Sequence, residues 1–164
     1  ITGGTIDSSW DNKQDSMTLN EKSEVPAYFQ KFNLLDSLKF TQICLKDSRN
    51  LTDEDRENML QAIEQSEAER IIITHGSFTA FDTGIYLQKK LKRKDQTIIL
   101  TSGTVPLTGF GMSDSSFNLG FAIAKVQDLP SDIYFAIKGK IFSLVEFEKF
   151  ASGGKLYEIY SNEK

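Results

Sequence analysis

Hydroxyl and glycine residues cluster at four places where the sequence predicts a strand to end. The segments are Thr2-Gly3-Gly4-Thr5, Lys46-Asp47-Ser48-Arg49, His75-Gly76-Ser77-Phe78-Thr79 and Ser102-Gly103-Thr104. Glycines let backbone N–H groups approach a ligand closely, and hydroxyls can act as nucleophiles or move protons. Gly, Ser and Thr are also ordinary loop residues, so one such segment alone would mean little. Four in succession predict that the carboxyl ends of the strands form one shared site.

Two kinds of chemistry fit the first segment. The Gly3-Gly4-Thr5 turn could cradle a phosphate, but it has the spacing of neither GxGxxG nor GxxxxGK[ST], so nucleotide binding is weakly supported. It could instead form an oxyanion hole beside a hydroxyl nucleophile, which suits acyl transfer. The nucleophile then needs a base. His75 is one candidate, although a histidine at a strand end more often anchors a turn, and a lysine with a lowered pKa such as Lys149 is another.

The elements that must position these residues alternate along the chain. β-branched apolar blocks predict strands buried on both faces at 40–45, 71–74, 97–101 and 133–137. Helices are predicted at 26–38, 52–65, 79–92 and 115–127. This alternation predicts a single α/β domain over 1–164 with a mostly parallel, flavodoxin-like sheet of five or six strands flanked by helices.

Two further stretches are predicted outside this alternation. Residues 8–23 are polar and without a clear pattern, and we expect a mobile or poorly ordered loop there. Residues 142–164 form a C-terminal extension with a helical turn and an edge strand expected at 156–160.

Composition excludes several classes of protein. The 164 residues are 39% hydrophobic, enough for one domain with an ordinary core, and the net charge is −4 with a pI near 5.1. Such a chain lacks the basic surface that nucleic acid or an anionic membrane requires. Its one dense basic run, at 89–94, is interpreted as the cationic end of a helix.

The inventory of reactive side chains is short. One cysteine, Cys44, excludes an internal disulfide framework, and a single histidine excludes a Cys/His zinc site. We therefore expect no metal and no cofactor. No apolar stretch approaches the roughly 18 residues of a membrane-spanning helix. The chain shows no signal peptide, and its start at Ile1 suggests that part of a first strand is missing. A cytoplasmic protein is expected.

Several motifs resemble the L-asparaginases of the bacterial type in order and spacing. They are Ile1-Thr2-Gly3-Gly4-Thr5-Ile6, Asp47-Ser48-Arg49-Asn50-Leu51-Thr52, Thr74-His75-Gly76-Ser77-Phe78-Thr79, Pro106, and Ser113-Asp114-Ser115-Ser116-Phe117-Asn118-Leu119. The resemblance covers essentially the whole chain as an N-terminal asparaginase domain. It is strongest to the short-chain, single-domain members of the family.

The resemblance implies a role for each matching residue. Thr5 would be the nucleophile that attacks a side-chain amide, and Ser77 would belong to a second hydroxyl–lysine group. Its lysine would be Lys149, with Lys140 as the alternative. The substrate-binding positions implied by the match are Gly4, Asp47, Ser48, Arg49, Gly76 and Phe78, with backbone amides near Gly4 and Gly76 holding the oxyanion.

The sequence also departs from the pattern of the full-length enzymes. Phe78 stands where those enzymes have the aspartate that binds the substrate α-amino group, and Ser77 stands where they have threonine. Between Thr5 and Tyr28 there is no tyrosine, and Trp10 is the one aromatic residue in that stretch.

The leading prediction is hydrolysis of L-asparagine, or a related small amide, to the acid and ammonia. One alternative is a binding module that keeps the pocket for an amino acid or dicarboxylate without turnover. Another is a subunit that supplies amide nitrogen to a partner enzyme. A homodimer or larger homo-oligomer is expected, because an open rim of strand ends would be shielded by a second subunit.

Overall fold

The computed structural model describes residues 1–34 and 37–152. Its strands are β1 (Ser8–Asp11), β2 (Ser16–Leu19), β3 (Arg70–Thr74), β4 (Thr97–Thr101), β5 (Ile133–Ile137) and β6 (Lys140–Ser143). Its helices are α1 (Val25–Gln30), α2 (Asp53–Gln65), α3 (Ala80–Lys90), α4 (Asp114–Asp128) and α5 (Leu144–Ser152). Short 3₁₀ turns occupy Thr5–Asp7, Ser48–Asn50 and Ser77–Thr79.

The sheet confirms the predicted fold class. Strands β3, β4 and β5 run parallel, and β6 adds to β5 in the antiparallel direction. Residues 1–4 extend the sheet beyond β3, because the Thr2 N–H donates to the Thr74 carbonyl at 3.2 Å. Residues 43–46 lie on their other side. The order across the sheet is therefore residues 43–46, residues 1–4, β3, β4 and β5, which is the flavodoxin-like arrangement.

The predicted strand at 40–45 is only partly formed. Its pairing with residues 1–4 amounts to an isolated parallel bridge between Gly3 and Lys46, with the Ile43 N–H donating to the Ile1 carbonyl at 2.9 Å. Phe40 is exposed and takes no part in the pairing. The pairing begins at Thr41, whose carbonyl accepts from the Ile1 ammonium at 2.8 Å.

Helices cover both faces of the sheet. Apolar residues of α2, α3 and α5 pack with one face, where Ile98 and Leu100 point, and α4 packs against the other face over Ile99 and Ala136. All five residues of β4 are buried, as expected of a central strand. None of the helices in 1–34 and 37–152 is long and apolar enough to cross a membrane.

Three of the predicted helices form close to their expected bounds, and one is shorter. Helix α2 begins at a capping box in which Thr52 and Asp55 each accept the other's backbone N–H. Helix α1 ends at Gln30 rather than at residue 38. The chain turns at Asn33, whose φ of 46° lies in the left-handed region and cannot continue a helix.

Residues 8–23 contain a β-hairpin, which corrects the expectation of an irregular loop. Strands β1 and β2 pair antiparallel, with Trp10 opposite Met17. The Asp11 carboxylate closes the turn by accepting the backbone N–H of Lys13 at 2.7 Å. The sequence signal is short, because the alternation is confined to Met17 and Leu19 in β2 and both side chains are exposed rather than packed in a core.

The C-terminal part begins with a strand that the sequence analysis missed. A two-residue turn at Lys138 and Gly139, both with positive φ, joins β5 to β6 as expected for a type I′ hairpin. Ser143 and Glu146 then cap α5, because each accepts the other's backbone N–H. The edge strand expected at 156–160 lies outside the described residues.

Candidate active site

Three of the four strand-end segments are in direct contact. A methyl group placed on Gly4 would lie 2.7 Å from the Gly76 nitrogen, and one placed on Gly76 would lie 2.7 Å from the Ser48 Oγ. Gly4 has a φ of 75°, a conformation that favours glycine. Glycine at both positions thus allows the segments to pack backbone to backbone, and it brings the neighbouring residues Thr5, Ser77 and Ser48 to one rim.

Thr5 begins a 3₁₀ turn that is fixed at its base. The Asp7 N–H and the Ser8 hydroxyl both donate to the Gly4 carbonyl at 3.1 Å. Thr5 itself is half-buried. A turn with a fixed backbone suits a hydroxyl nucleophile, because its oxygen must be held in position against the substrate.

Ser77 lies at the start of the next strand-end turn and is also half-buried. The Thr79 hydroxyl donates to the Ser48 carbonyl at 2.7 Å, which ties this turn to the segment beside it. Ser77 lines a small cavity together with Ser102, so the third and fourth segments meet there, whereas no residue of the first two segments is part of its lining. The rest of that cavity is mostly apolar and includes Phe135 and Phe147.

His75 is a structural residue in this arrangement. Its side chain is buried, its Nδ1 lies 2.6 Å from the Gly76 carbonyl, and its Nε2 lies 2.9 Å from the Thr83 hydroxyl. A carbonyl only accepts, so Nδ1 carries the proton and Nε2 accepts from Thr83. Burial lowers the pKa of His75 to about 4, so the ring is neutral near pH 7. With both nitrogens engaged, His75 holds the turn and is a poor base for Thr5.

Ser48 presents a buried hydroxyl to the rim. The residue is 2% exposed, and its Oγ has no hydrogen-bond partner among the described residues. An unpaired buried hydroxyl costs roughly 1–3 kcal/mol, and a ligand that accepts its proton would recover that free energy. Ser48 is therefore the strongest candidate for a substrate contact.

Asp47, Arg49 and Phe78 form one cluster at the edge of the site. The Arg49 guanidinium binds the Asp47 carboxylate in a bidentate pair, with distances of 3.0 Å from Nε to Oδ1 and 2.6 Å from Nη2 to Oδ2. This bond lowers the pKa of the Asp47 carboxyl. The guanidinium also lies 5.0 Å from the centre of the Phe78 ring, which is 64% exposed. The Arg49 side chain, which the sequence analysis assigned to substrate binding, thus has two of its N–H donors occupied by Asp47.

The two candidate lysines lie away from the cavity that Ser77 lines. Lys149 is exposed on α5, two residues after Phe147, whose side chain does line that cavity. Two residues correspond to about 200° around a helix, so the two side chains leave α5 on different faces. Lys140 is exposed on β6, with its Nζ 4.8 Å from the Phe142 ring. Hydrogen bonds from the Ser143 N–H and hydroxyl lower the pKa of the Glu146 carboxyl, and the charges of both lysines add to this effect.

Two buried residues that the sequence analysis did not single out hold the site in place. Asp7 is fully buried, and its Oδ1 accepts the Ser23 hydroxyl at 2.8 Å and the Glu24 N–H at 3.0 Å, while burial raises the pKa of its carboxyl. Asn118 is also fully buried and donates to the Ser102 carbonyl at 2.8 Å. A polar residue inside an otherwise apolar helix face was the available signal for Asn118.

No cluster of three or more His, Cys, Asp or Glu residues in the described ranges is placed to hold a metal ion. The parallel sheet and its hydroxyl-bearing strand ends define a flavodoxin-like α/β domain with a site at the carboxyl edge of the sheet. The sequence model of the protein family described as the N-terminal domain of asparaginase matches residues 1–155 of this chain. The chain belongs to the asparaginase family, as an N-terminal domain of that family.

Solved structures agree with this assignment. The probable cytoplasmic L-asparaginase of Campylobacter jejuni is similar over 88% of this chain and 46% of its own, with a TM-score of 0.73 and 25% identity. The thermostable L-asparaginase of Thermococcus kodakarensis is similar over 87% of this chain and 44% of its own, with a TM-score of 0.71 and 24% identity. The chain thus spans a little under half the length of these two proteins. A comparison with curated protein sequences gives no significant match.

Proposed function

We propose that this domain hydrolyses the side-chain amide of a small carboxylic acid, such as L-asparagine, releasing ammonia. The observation that carries the proposal is the packing of Gly4, Gly76 and Ser48 against one another. Thr5 and Ser77 directly follow Gly4 and Gly76 in the chain, and both are half-buried, which supports a role for their hydroxyls at this rim. The family membership and the similarity to L-asparaginases support the same reaction.

In the proposed reaction, the Thr5 oxygen attacks the amide carbon and loses its proton as the bond forms. Backbone N–H groups near Gly4 and Gly76 stabilise the negative charge on the amide oxygen. When the intermediate collapses, the C–N bond breaks and the nitrogen leaves as ammonia with the proton taken from Thr5. Water then hydrolyses the Thr5 ester, which releases the acid and restores the hydroxyl. The Ser48 hydroxyl donates to the substrate carboxylate.

Ser77 is proposed to carry the proton from Thr5, with a lysine as its partner. His75 is unsuited to this role because its ring is buried, neutral and doubly hydrogen-bonded. The family resemblance assigns the lysine to Lys149, with Lys140 as the alternative. Substituting each lysine with methionine distinguishes the two, because the true partner should lower the turnover number much more than the other.

Substitution of the two hydroxyls tests the proposal. Thr5→Ala should reduce ammonia release from L-asparagine by about 10³-fold or more, and Ser77→Ala should cost a comparable factor. Residues that act as one catalytic unit are far from additive, so the double variant should be little worse than either single variant. Ser102→Ala, on the same rim but without an assigned role, should cost much less. Ammonia release by Thr5→Ala close to that of the parent protein would exclude this mechanism.

A binding module without turnover is the second candidate function. The exposed position of Lys149 and the apolar lining around Ser77 favour it, since proton transfer needs a base close to the hydroxyl. A binding module predicts that asparagine or a dicarboxylate raises the melting temperature while no ammonia appears. Ammonia release that depends on Thr5 would reject it.

A further inference from the structure

The charges at the rim restrict which amide the site can accept. Asp47 is the one acidic residue in the four strand-end segments. Its Oδ1 already accepts the Arg49 backbone N–H at 2.9 Å and the Arg49 Nε at 3.0 Å, and its Oδ2 accepts Nη2 at 2.6 Å. A carboxylate neutralised by a bidentate guanidinium is a weak partner for a second cation. The rim therefore offers a substrate ammonium group no well-placed anion from these segments.

The aromatic ring at the rim does not supply this interaction either. The face of an aromatic ring attracts cations, and in this structure the Arg49 guanidinium already lies over the Phe78 ring, 5.0 Å from its centre. A substrate ammonium approaching that face would meet the guanidinium itself. The Phe78 side chain has no polar atom that could accept a hydrogen bond from an ammonium.

The same rim is well suited to a substrate carboxylate. A guanidinium has five N–H donors, and Asp47 takes two of those of Arg49, whose side chain is 64% exposed. The Ser48 hydroxyl beside it is buried and has no hydrogen-bond partner within the described part of the chain. The other cation of the same segment, Lys46, is held by Asp55 at 2.7 and 2.8 Å. Within this segment, Arg49 and Ser48 are thus the side chains with donors left for an anion.

We propose that the site prefers ω-amides of dicarboxylic acids that carry no α-ammonium group over amino-acid amides such as asparagine. The proposal rests on the proposed function and specifies its substrate class. Succinamate and L-asparagine are a matched pair of probes, because they differ only in the α-ammonium group. The preference is a property of binding, so it can be measured separately from turnover.

Two measurements test the proposal. Calorimetric binding to the Thr5→Ala variant should give a dissociation constant for succinamate at least about tenfold lower than for L-asparagine. In the parent protein, kcat/KM for ammonia release should favour succinamate by a similar factor. Equal binding, tighter binding of asparagine, or no binding of succinamate would overturn the proposal. If succinamate binds more tightly but neither amide is hydrolysed, the proposed function fails and the preference stands.

Variants at the rim make the test specific to these residues. Phe78→Asp places a carboxylate beside Ser77, and Arg49→Gln frees Asp47 from its partner. Both should shift the ratio of the two dissociation constants toward asparagine by about tenfold or more. Phe117→Asp is the matched control, because Phe117 is a similarly exposed aromatic residue on α4, and it should leave the ratio unchanged. A ratio that stays the same in both rim variants, or that shifts equally in the control, would contradict the proposal.

Discussion

The contact between Gly76 and Ser48 makes Gly76→Ala an informative substitution. Gly76 has a φ of −73° and a ψ of 136°, which alanine adopts without strain, so the backbone gives no reason for glycine here. The new methyl carbon, however, would lie 2.8 Å from the Ser48 Cβ. The two carbons must separate by about 0.7 Å to reach an ordinary contact of ~3.5 Å. The Ser48 Cβ is attached to the backbone and cannot rotate away.

The size of the effect follows from two opposing contributions. Overpacking of this kind costs about 1–3 kcal/mol, whereas replacing glycine stabilises by about 0.4–1 kcal/mol through the unfolded chain. Gly76→Ala should therefore lower the free energy of unfolding by roughly 1–2 kcal/mol. For a chain of this size, the melting temperature should fall by roughly 2–8 °C. Calorimetry or urea denaturation monitored by circular dichroism measures both quantities.

A double-mutant cycle shows whether the cause is the contact with Ser48. Ser48→Gly removes the carbon that the new methyl meets, so Gly76→Ala should cost about 1 kcal/mol less in that background. Gly4→Ala is the contrasting variant, because its methyl would meet the Gly76 backbone nitrogen at 2.7 Å and its φ is 75°. That cost should persist when Ser48 is glycine. If Gly76→Ala is as stable as the parent, or Ser48→Gly gives no relief, the described packing is wrong.

Three further predictions concern the elements that support the site. Burial holds the pKa of His75 at about 4, well below its usual 6.5, so the unfolded chain binds the proton first as the pH falls. The free energy of unfolding should therefore drop between about pH 6.5 and pH 4, by up to roughly 3 kcal/mol. Urea denaturation across this range should show a shallower dependence in His75→Asn than in the parent; equal slopes would contradict the assignment. Asn118→Ala removes the side-chain amide that bonds to the buried Ser102 carbonyl and to the Lys138 N–H, and it should destabilise the fold by about 2 kcal/mol or more in thermal denaturation. Thr52→Ala removes the N-cap of α2 and should lower the free energy of unfolding by about 1 kcal/mol. Any ammonia release should be unchanged, and a large loss of activity would contradict a purely capping role for Thr52.

The parts of the fold that were predictable from sequence are those whose side chains face a core. Strands β4 and β5 were predicted with their observed bounds because apolar residues on both faces leave little choice of structure. Helix α2 was predicted because Thr52 and the acids after it form a cap. The hairpin of β1 and β2 carries only the short alternation of Met17 and Leu19, whose side chains are exposed, and its strands are paired through their backbones.

The site was predictable to the level of segments but not of side-chain partners. The periodicity of strands and helices places the four strand ends at one edge, which is where Ser48 and Ser77 lie. The pairing of Arg49 with Asp47 depends on the direction of a long flexible side chain, which spacing does not specify. The face of α5 on which Lys149 lies depends on where that helix begins, and the cap at Ser143 sets it.

The position of residues 1–4 in the sheet has a consequence for the order in which the chain folds. These residues come first in the chain, yet they pair on one side with residues 43–46 and on the other with Thr74, which is 72 positions from Thr2. Contacts so distant in sequence require long loops to close, and such closures are slow compared with helix formation. We therefore expect the Thr5 turn to be set late in folding, after β3 and the helices that cover it have come together. Ligand binding should accordingly be among the last properties to return when the denatured chain is refolded, well after its helical signal.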